Sequence, residues 1–133
     1  MTTERTAPVY TICVQQSFTA RHCLIGGDWG DENDPHAHDY RIEVRLSGDT
    51  LDTQGYLVDI DPVTRLLEAE IRQLENQMLN DLPQFAGINP SLEHFARIFW
   101  EKISVKLQAP GVTSICVRLW ENEDAWAEYR REL

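Results

Sequence analysis

Three of the four histidines in the chain, His22, His36 and His38, lie close together in the sequence. His36 and His38 are separated by one residue, and on a β-strand such residues point to the same face with Cα atoms about 6.6 Å apart. Two imidazoles at that spacing can bind one ion at about 2.0–2.1 Å each, and His22 can supply a third ligand. Three neutral nitrogen ligands suit Zn²⁺ and leave a fourth tetrahedral position open for water or substrate.

The alternative interpretation of these histidines is a hydrogen-bonded surface cluster, because a His-x-His pair alone occurs by chance. His36 and His38, however, share the parity of Tyr40 and Ile42, which is the apolar face of a predicted strand. Imidazoles on a face that points to the core need polar partners, and a metal ion supplies one. The fourth histidine, His94, falls on a predicted helix without a companion and is interpreted as an ordinary packing or surface residue.

Strands must position the histidines. Residues 9–18 and 36–47 alternate between apolar and polar side chains, as expected for strands of an antiparallel sheet with one solvated face. Antiparallel pairing of these two strands through the intervening Gly- and Asp-rich loop brings His22 towards the other two histidines. A short third strand is predicted at residues 55–60, and a last strand at residues 115–119.

Two amphipathic helices are predicted to cover the apolar face of this sheet. The first begins at the Asp-Pro pair 61–62, an N-cap followed by proline at the first helical position. The second begins at the Asn-Pro pair 89–90 and ends at Pro-Gly 110–111. The tail, residues 122–133, is predicted as a short helix. Apolar stripes mark the first helix at Val63, Leu67, Ile71, Leu74 and Met78, and the second at Leu92, Phe95, Ala96, Phe99, Ile103 and Leu107.

Length, charge and cysteine content limit the class of protein. The 133 residues fit a single α+β domain spanning residues 1–133. A formal net charge of −10 argues against nucleic acid and against an anionic membrane surface as partners. We expect no transmembrane helix, no secretory signal and a cytoplasmic location. The three cysteines are widely spaced and predict no disulfide framework: Cys13, Cys23 and Cys116.

Six segments, taken in order, resemble the 6-pyruvoyl-tetrahydropterin synthase family, which includes the 6-carboxy-tetrahydropterin synthases of queuosine biosynthesis. No single segment is specific for this family, but the occurrence of all six in the same order along nearly the whole chain is. They are FTARH from Phe18, PHAHDY from Pro35, GYLVDID from Gly55, LENQMLN from Leu74, NPSLEHFA from Asn89 and RLWEN from Arg118.

The resemblance implies the tunnelling fold, in which a four-stranded antiparallel sheet carries two helices on one face. It implies trimers whose sheets close into a β-barrel and stack as a homo-hexamer, a dimer of trimers, with active sites between subunits. His22, His36 and His38 match the zinc ligands of the family. Glu121 matches the glutamate that anchors the pterin ring, and it continues the parity of Val117 and Leu119.

Two catalytic positions depart from the family pattern. Glu32 stands where the family usually has a cysteine, and the catalytic Asp-His pair falls on Glu75 and Asn76. A positioned carboxylate can still act as a general base. A branch of the family carries Glu at the cysteine position and converts 7,8-dihydroneopterin triphosphate to 6-hydroxymethyl-7,8-dihydropterin for folate synthesis. In having Glu32 at this position, the chain resembles that branch. Asn76 fits less well, because an amide does not transfer protons as imidazole does.

The predicted function is therefore that of a zinc-dependent lyase acting on the side chain of a reduced pterin such as 7,8-dihydroneopterin triphosphate. Glu32 and Glu75 are the candidate catalytic residues. Two alternatives remain open: a zinc-holding pterin-binding homologue without turnover, and a metal-free assembly protein on the same fold. A triphosphate substrate would need local cations, for which the candidates are Arg21, Arg41, Arg45, Arg97 and Lys102.

Overall fold

A computed structural model describes residues 9–133 of the chain. Its four strands form one antiparallel sheet in the order β1-β2-β3-β4. The main elements are β1 Tyr10–His22, β2 His36–Gly48, α1 Ile60–Arg72, α2 Leu92–Lys106, β3 Ser114–Trp120 and β4 Trp126–Glu132. The α+β architecture, with four antiparallel strands and two helices on one face of the sheet, confirms the fold class predicted from the sequence.

The two faces of the sheet follow the alternation of β2. Tyr40, Ile42 and Val44 are buried in the core that the sheet shares with both helices. The opposite face carries charged side chains, among which Nη2 of Arg45 donates to Glu43 at 2.9 Å. Period-two burial therefore places the residues with even numbers in β2, His36 and His38 included, on the helix-covered side.

The helices begin slightly away from their predicted caps. Asp59, rather than Asp61, is the N-cap of α1, and its side chain accepts the Asp61 N–H at 3.1 Å. Pro62 still falls in the first turn, where its missing N–H costs nothing. In α2 the cap is Ser91, whose hydroxyl accepts the N–H of His94.

The first helix is shorter than its apolar stripe predicted, since α1 ends at Arg72. Leu74 is still buried, but it lies in the turn that follows. Asn76 adopts a left-handed conformation with φ 60°, and its N–H donates to the carbonyl of Thr19 at 2.7 Å. This long-range bond redirects the chain along β1, so Met78 pairs with Arg21 in an isolated bridge instead of extending the helix.

The prediction of a short strand at residues 55–60 is wrong. The Asp52 side chain accepts the N–H groups of Gln54 and Tyr56, both at 2.9 Å, which closes a tight turn. Gly55 within that turn has φ 90°, a value that favours glycine. The segment therefore forms a loop that buries Leu57 and leads directly into the N-cap of α1.

The prediction of a helix in the tail is also wrong, because residues 126–132 form the fourth strand. The side chain of Asn122 accepts the N–H groups of Asp124 and Ala125, at 2.8 and 3.0 Å, and turns the chain back. β4 then pairs with β3 along its whole length, from Trp120 opposite Trp126 to Ser114 opposite Glu132. The fourth strand of the sheet is thus the tail, not the loop before α1.

Candidate active site

The register between β1 and β2 brings the three histidines together. His22 lies opposite His36, and Ala20 lies opposite His38. The three imidazole centroids are 4.5, 4.6 and 4.8 Å apart. One ring nitrogen from each side chain lies within 4.8 Å of the others, as in a group that can hold a metal ion. The predicted strand ended at Phe18, but β1 continues to His22, and this continuation places His22 beside its partners.

Hydrogen bonds to neighbouring groups orient two of the three rings, those of His36 and His22. Nδ1 of His36 lies 2.8 Å from the carbonyl oxygen of Asp34, which can only accept, so this nitrogen carries the proton. Nδ1 of His22 lies 2.7 Å from the Tyr40 hydroxyl. Nε2 of His36 and Nε2 of His38 are buried and make no hydrogen bond within residues 9–133, although Oε1 of Glu121 lies 3.1 Å from Nε2 of His38. Buried polar atoms without partners are uncommon, and a metal ion would satisfy both of these.

The electrostatics of His22 favour a neutral ring. Burial, followed by the neighbouring His38 and His36, lowers its pKa from 6.5 to about 4. The imidazole is therefore uncharged at neutral pH, which is the form that binds metals. Burial and then the Glu121 carboxylate raise the pKa of Tyr40, so its hydroxyl stays protonated. The donor set, three imidazoles, fits Zn²⁺.

Two carboxylates flank the histidines. Glu121, directly after β3, places Oε1 at 3.1 Å from Nε2 of His38 and 3.9 Å from Nε2 of His22. Glu32 places Oε2 at 4.0 Å from Nε2 of His36. The predicted pterin-binding residue and one predicted catalytic residue therefore both lie next to the cluster. Their carboxylates approach different imidazoles, so a molecule held at the cluster can contact both.

Glu32 belongs to a short 3-10 turn, Gly30–Asn33, within the loop between β1 and β2. Asn33 ties this loop together, since its amide donates to the carbonyls of Leu24 and Gly27 at 3.1 and 3.0 Å, and its side-chain oxygen accepts the Trp29 N–H at 2.7 Å. The carbonyl of Glu32 itself accepts the Leu24 N–H at 2.8 Å. These bonds hold the backbone that carries the Glu32 carboxylate.

Glu75, the other predicted catalytic residue, is exposed in the turn after α1. Its side chain makes no hydrogen bond or ion pair within residues 9–133, and no contact links it to the three histidines of the same chain. The adjacent Asn76 is anchored to β1 through its backbone, as described above. A catalytic role for Glu75 therefore remains a prediction.

One of the candidate cations lines a cavity that His38 and Glu121 also line, although it projects from the opposite face of β2. Arg41 shares with His38, Glu121 and Trp120 the lining of a cavity of about 500 Å³. Its guanidinium carbon lies 4.3 Å from the centroid of the Trp120 ring, and Nε is buried without a hydrogen-bond partner among the described residues. Nε of Arg41 also lies 4.0 Å from Oε1 of Glu43, whereas the guanidinium groups of Arg45 and Arg97 donate hydrogen bonds to the carboxylates of Glu43 and Glu101.

The family model described as 6-pyruvoyl tetrahydropterin synthase matches residues 11–132 of the chain. The chain belongs to the 6-pyruvoyl tetrahydropterin synthase family. This membership confirms the resemblance inferred from the six segments. It also makes the chain a member of a family of enzymes that act on the side chains of pterins.

Relatives agree with this family membership. A candidate 6-carboxy-5,6,7,8-tetrahydropterin synthase of Archaeoglobus fulgidus is 30% identical over 121 residues, which are 90% of this chain and 95% of that protein. The 6-pyruvoyl tetrahydropterin synthase of Caenorhabditis elegans has a similar structure, with a TM-score of 0.79 at 21% identity over 96% of this chain and 99% of that one.

The 6-pyruvoyl tetrahydropterin synthase of Plasmodium vivax is also similar, with a TM-score of 0.79 at 16% identity over 95% of this chain and 99% of that one. That enzyme has also been solved with a catalytic glutamate replaced by cysteine or by alanine. At these identities the two solved structures establish the fold alone. Within residues 9–133, no helix has the length and apolar character needed to cross a membrane.

Sequence reasoning did not assign a role to Asn33 or Tyr40, and it left Arg41 as one of five candidate cations. Tyr40 ends the PHAHDY segment and shares the parity of His36 and His38, so the alternation contained a signal for it. The role of Asn33 depends on a loop conformation, and the position of Arg41 depends on packing against Trp120 of another strand. Neither has a local sequence signature.

Proposed function

We propose that the protein is a zinc-dependent lyase that acts on the side chain of a reduced pterin. The observation that supports this function best is the group of three converging imidazoles, two of them with buried Nε2 atoms that make no hydrogen bond, flanked by the carboxylates of Glu32 and Glu121. His22, His36 and His38 would hold the metal. When bound, Zn²⁺ supplies Lewis acidity towards the hydroxyl groups of the pterin side chain.

Glu32 is the proposed general base. Its carboxylate is 4.0 Å from Nε2 of His36, and its side chain is 56% exposed, so a substrate can approach it. A group held at the histidine cluster would lie within about one hydrogen-bond length of this carboxylate, which could take up a side-chain proton and return it. The catalytic glutamate of the Plasmodium vivax relative supports this assignment.

Glu121 is proposed to bind the pterin ring. An ionised carboxylate accepts two parallel hydrogen bonds, which suits an amino group and an adjacent ring N–H. Glu121 lines the cavity of about 500 Å³ next to His38, a volume in the range of small-molecule sites. Ring binding there would direct the substrate side chain towards the histidines and Glu32.

The proposed substrate is a reduced pterin such as 7,8-dihydroneopterin triphosphate. The chain carries a net charge of −10, so a triphosphate needs a local cation. Arg41, which lines the same cavity as Glu121, is the cation best placed for this purpose. The candidate products are a 6-hydroxymethyl, a 6-pyruvoyl and a 6-carboxy pterin.

We further propose a homo-hexamer built from two trimers, acting in the cytoplasm. In the monomer, β1 and β4 are the edges of the sheet. Unpaired strand edges are aggregation-prone, and closure of several sheets into a barrel removes them. Measurement of the mass in solution tests this assembly, and a stable monomer would contradict it.

The central experiment is incubation of the zinc-loaded protein with 7,8-dihydroneopterin triphosphate, followed by product analysis. Glu32→Gln should abolish turnover without loss of zinc. Asp31→Asn is the matched control, since it removes a charge from the same turn and should leave turnover unchanged. The proposal would be refuted for this substrate if none of the three products formed, or if Glu32→Gln and the wild type turned over equally.

The second candidate function is pterin binding without turnover. Asn76 in place of a proton-transferring histidine and the exposed position of Glu75 favour it. Calorimetric binding of the pterin with no product over hours would support this alternative. Metal analysis separates both functions from a metal-free assembly protein, since a sample that takes up no zinc after supplementation has neither.

A further inference from the structure

Tyr40 connects the hydrophobic core to the three-histidine cluster. Its hydroxyl oxygen lies 2.7 Å from Nδ1 of His22. The two side chains are 1% and 4% exposed, so bulk water does not compete for this contact. The proposed function assigns Tyr40 no role, although it is the side chain that reaches the buried nitrogen of His22.

The core fixes the position of this hydroxyl. The Tyr40 ring stacks on Phe18 with centroids 5.4 Å apart, and it contacts the edge of Phe95 with centroids 5.2 Å apart. Both phenylalanines are buried. A ring packed in this way has little rotational freedom, so the hydroxyl lies at a constant position relative to His22.

The hydrogen bond has a consequence for proton placement on His22. An imidazole binds a metal through the nitrogen that lacks a proton, and the other nitrogen then donates. Nε2 of His22 faces the cluster, 3.9 Å from the Glu121 carboxylate. Metal binding through Nε2 thus requires Nδ1–H to donate to the Tyr40 oxygen. His36 obeys the same rule, with the carbonyl of Asp34 as its acceptor.

We propose that Tyr40 is a positioning residue for the metal: it holds the His22 ring in the binding orientation, and its oxygen accepts a hydrogen bond from Nδ1–H, so that the unprotonated Nε2 is free to bind. This inference rests on the metal site of the proposed function but is independent of turnover. Loss of a hydrogen-bond partner of a metal-binding histidine typically changes metal affinity by about 10- to 100-fold.

Tyr40→Phe tests the proposal, because it keeps the ring and its packing and removes only the hydroxyl. Tyr129→Phe is the matched control, since Tyr129 is partly buried and packs edge-on against Trp100 with centroids 5.7 Å apart, away from the cluster. We expect Tyr40→Phe to bind zinc about 10- to 100-fold more weakly in competition with a chromogenic chelator. The control should bind zinc as the wild type does.

Co²⁺ substitution provides a readout that a merely structural role would not change. The visible absorption bands of the cobalt-loaded protein should shift in Tyr40→Phe and remain unchanged in Tyr129→Phe. A structural role alone would lower the thermal midpoint of the metal-free variant but leave the cobalt spectrum and the zinc affinity as in the wild type. Zinc affinity within about twofold of wild type would overturn the proposal.

The two possible failures can be distinguished. A wild-type protein that binds no zinc overturns the metal site and this inference with it. A wild-type protein that binds zinc tightly, with a Tyr40→Phe variant that binds equally well, overturns only the role of Tyr40. Tight zinc binding by the wild type and about 10- to 100-fold weaker binding by Tyr40→Phe, with no turnover by the wild type, would leave this inference standing and contradict the lyase.

Discussion

The buried, neutral His22 predicts that the metal-free protein loses stability in mild acid. Its pKa in the folded state is lowered from 6.5 to about 4, mainly by burial. Between these two pH values, His22 is protonated in the unfolded chain but remains neutral in the folded protein. Folding stability is therefore fully present above pH 6.5 and decreases as the pH falls towards 4.

The magnitude follows from the two pKa values. The difference between 6.5 and about 4, at about 1.4 kcal/mol per pKa unit, corresponds to a loss of about 3 kcal/mol in the free energy of unfolding. Little discount for solvent screening applies, since His22 is only 4% exposed. The free energy of unfolding changes by at most about 1.4 kcal/mol per pH unit, which is the value for uptake of one proton.

Urea denaturation of chelator-treated protein at several pH values between 7 and 4 measures this effect. His22→Gln removes the titrating ring, so the contribution of His22 is the difference between wild type and variant at each pH. His94→Gln, at an exposed position on α2, is the control and should behave as the wild type does. If wild type and His22→Gln show the same pH slope, burial of a neutral His22 is not the source of acid sensitivity.

Three further predictions follow from other contacts. Glu121→Gln should weaken pterin binding by about tenfold or more, as measured by calorimetry, because an amide has one acceptor oxygen and a donor NH₂ where the carboxylate offers two acceptor oxygens to parallel donors; zinc stoichiometry should not change. Lys106→Met should lower the free energy of unfolding by about 3 kcal/mol in urea denaturation, because Glu70, only 2% exposed, loses its ion-pair partner; a loss below about 1 kcal/mol would contradict this. Asn33→Ala should reduce turnover more than zinc affinity, because it frees the loop that holds Glu32; steady-state kinetics with unchanged kcat would refute this prediction.

Much of the fold could be predicted from the sequence because its signals are local. The alternation of β2 and the apolar stripes of the helices depend only on the geometry of each element. The same alternation placed His36 and His38 on the core side, and the antiparallel pairing of β1 with β2 brought His22 to them. The three-histidine cluster was therefore predictable from spacing and parity before any coordinates.

The tertiary structure decided what depends on distant partners. Residues 126–132 form a strand because they pair with β3, and α1 stops early because the chain after it is bonded to Thr19. Neither event has a signal in the local periodicity. For the same reason, the sequence could not show that Tyr40 contacts His22 or that Glu32 approaches the cluster while Glu75 makes no contact with it. The periodicity of an element specifies which face a side chain occupies, whereas only packing between elements specifies which atoms meet.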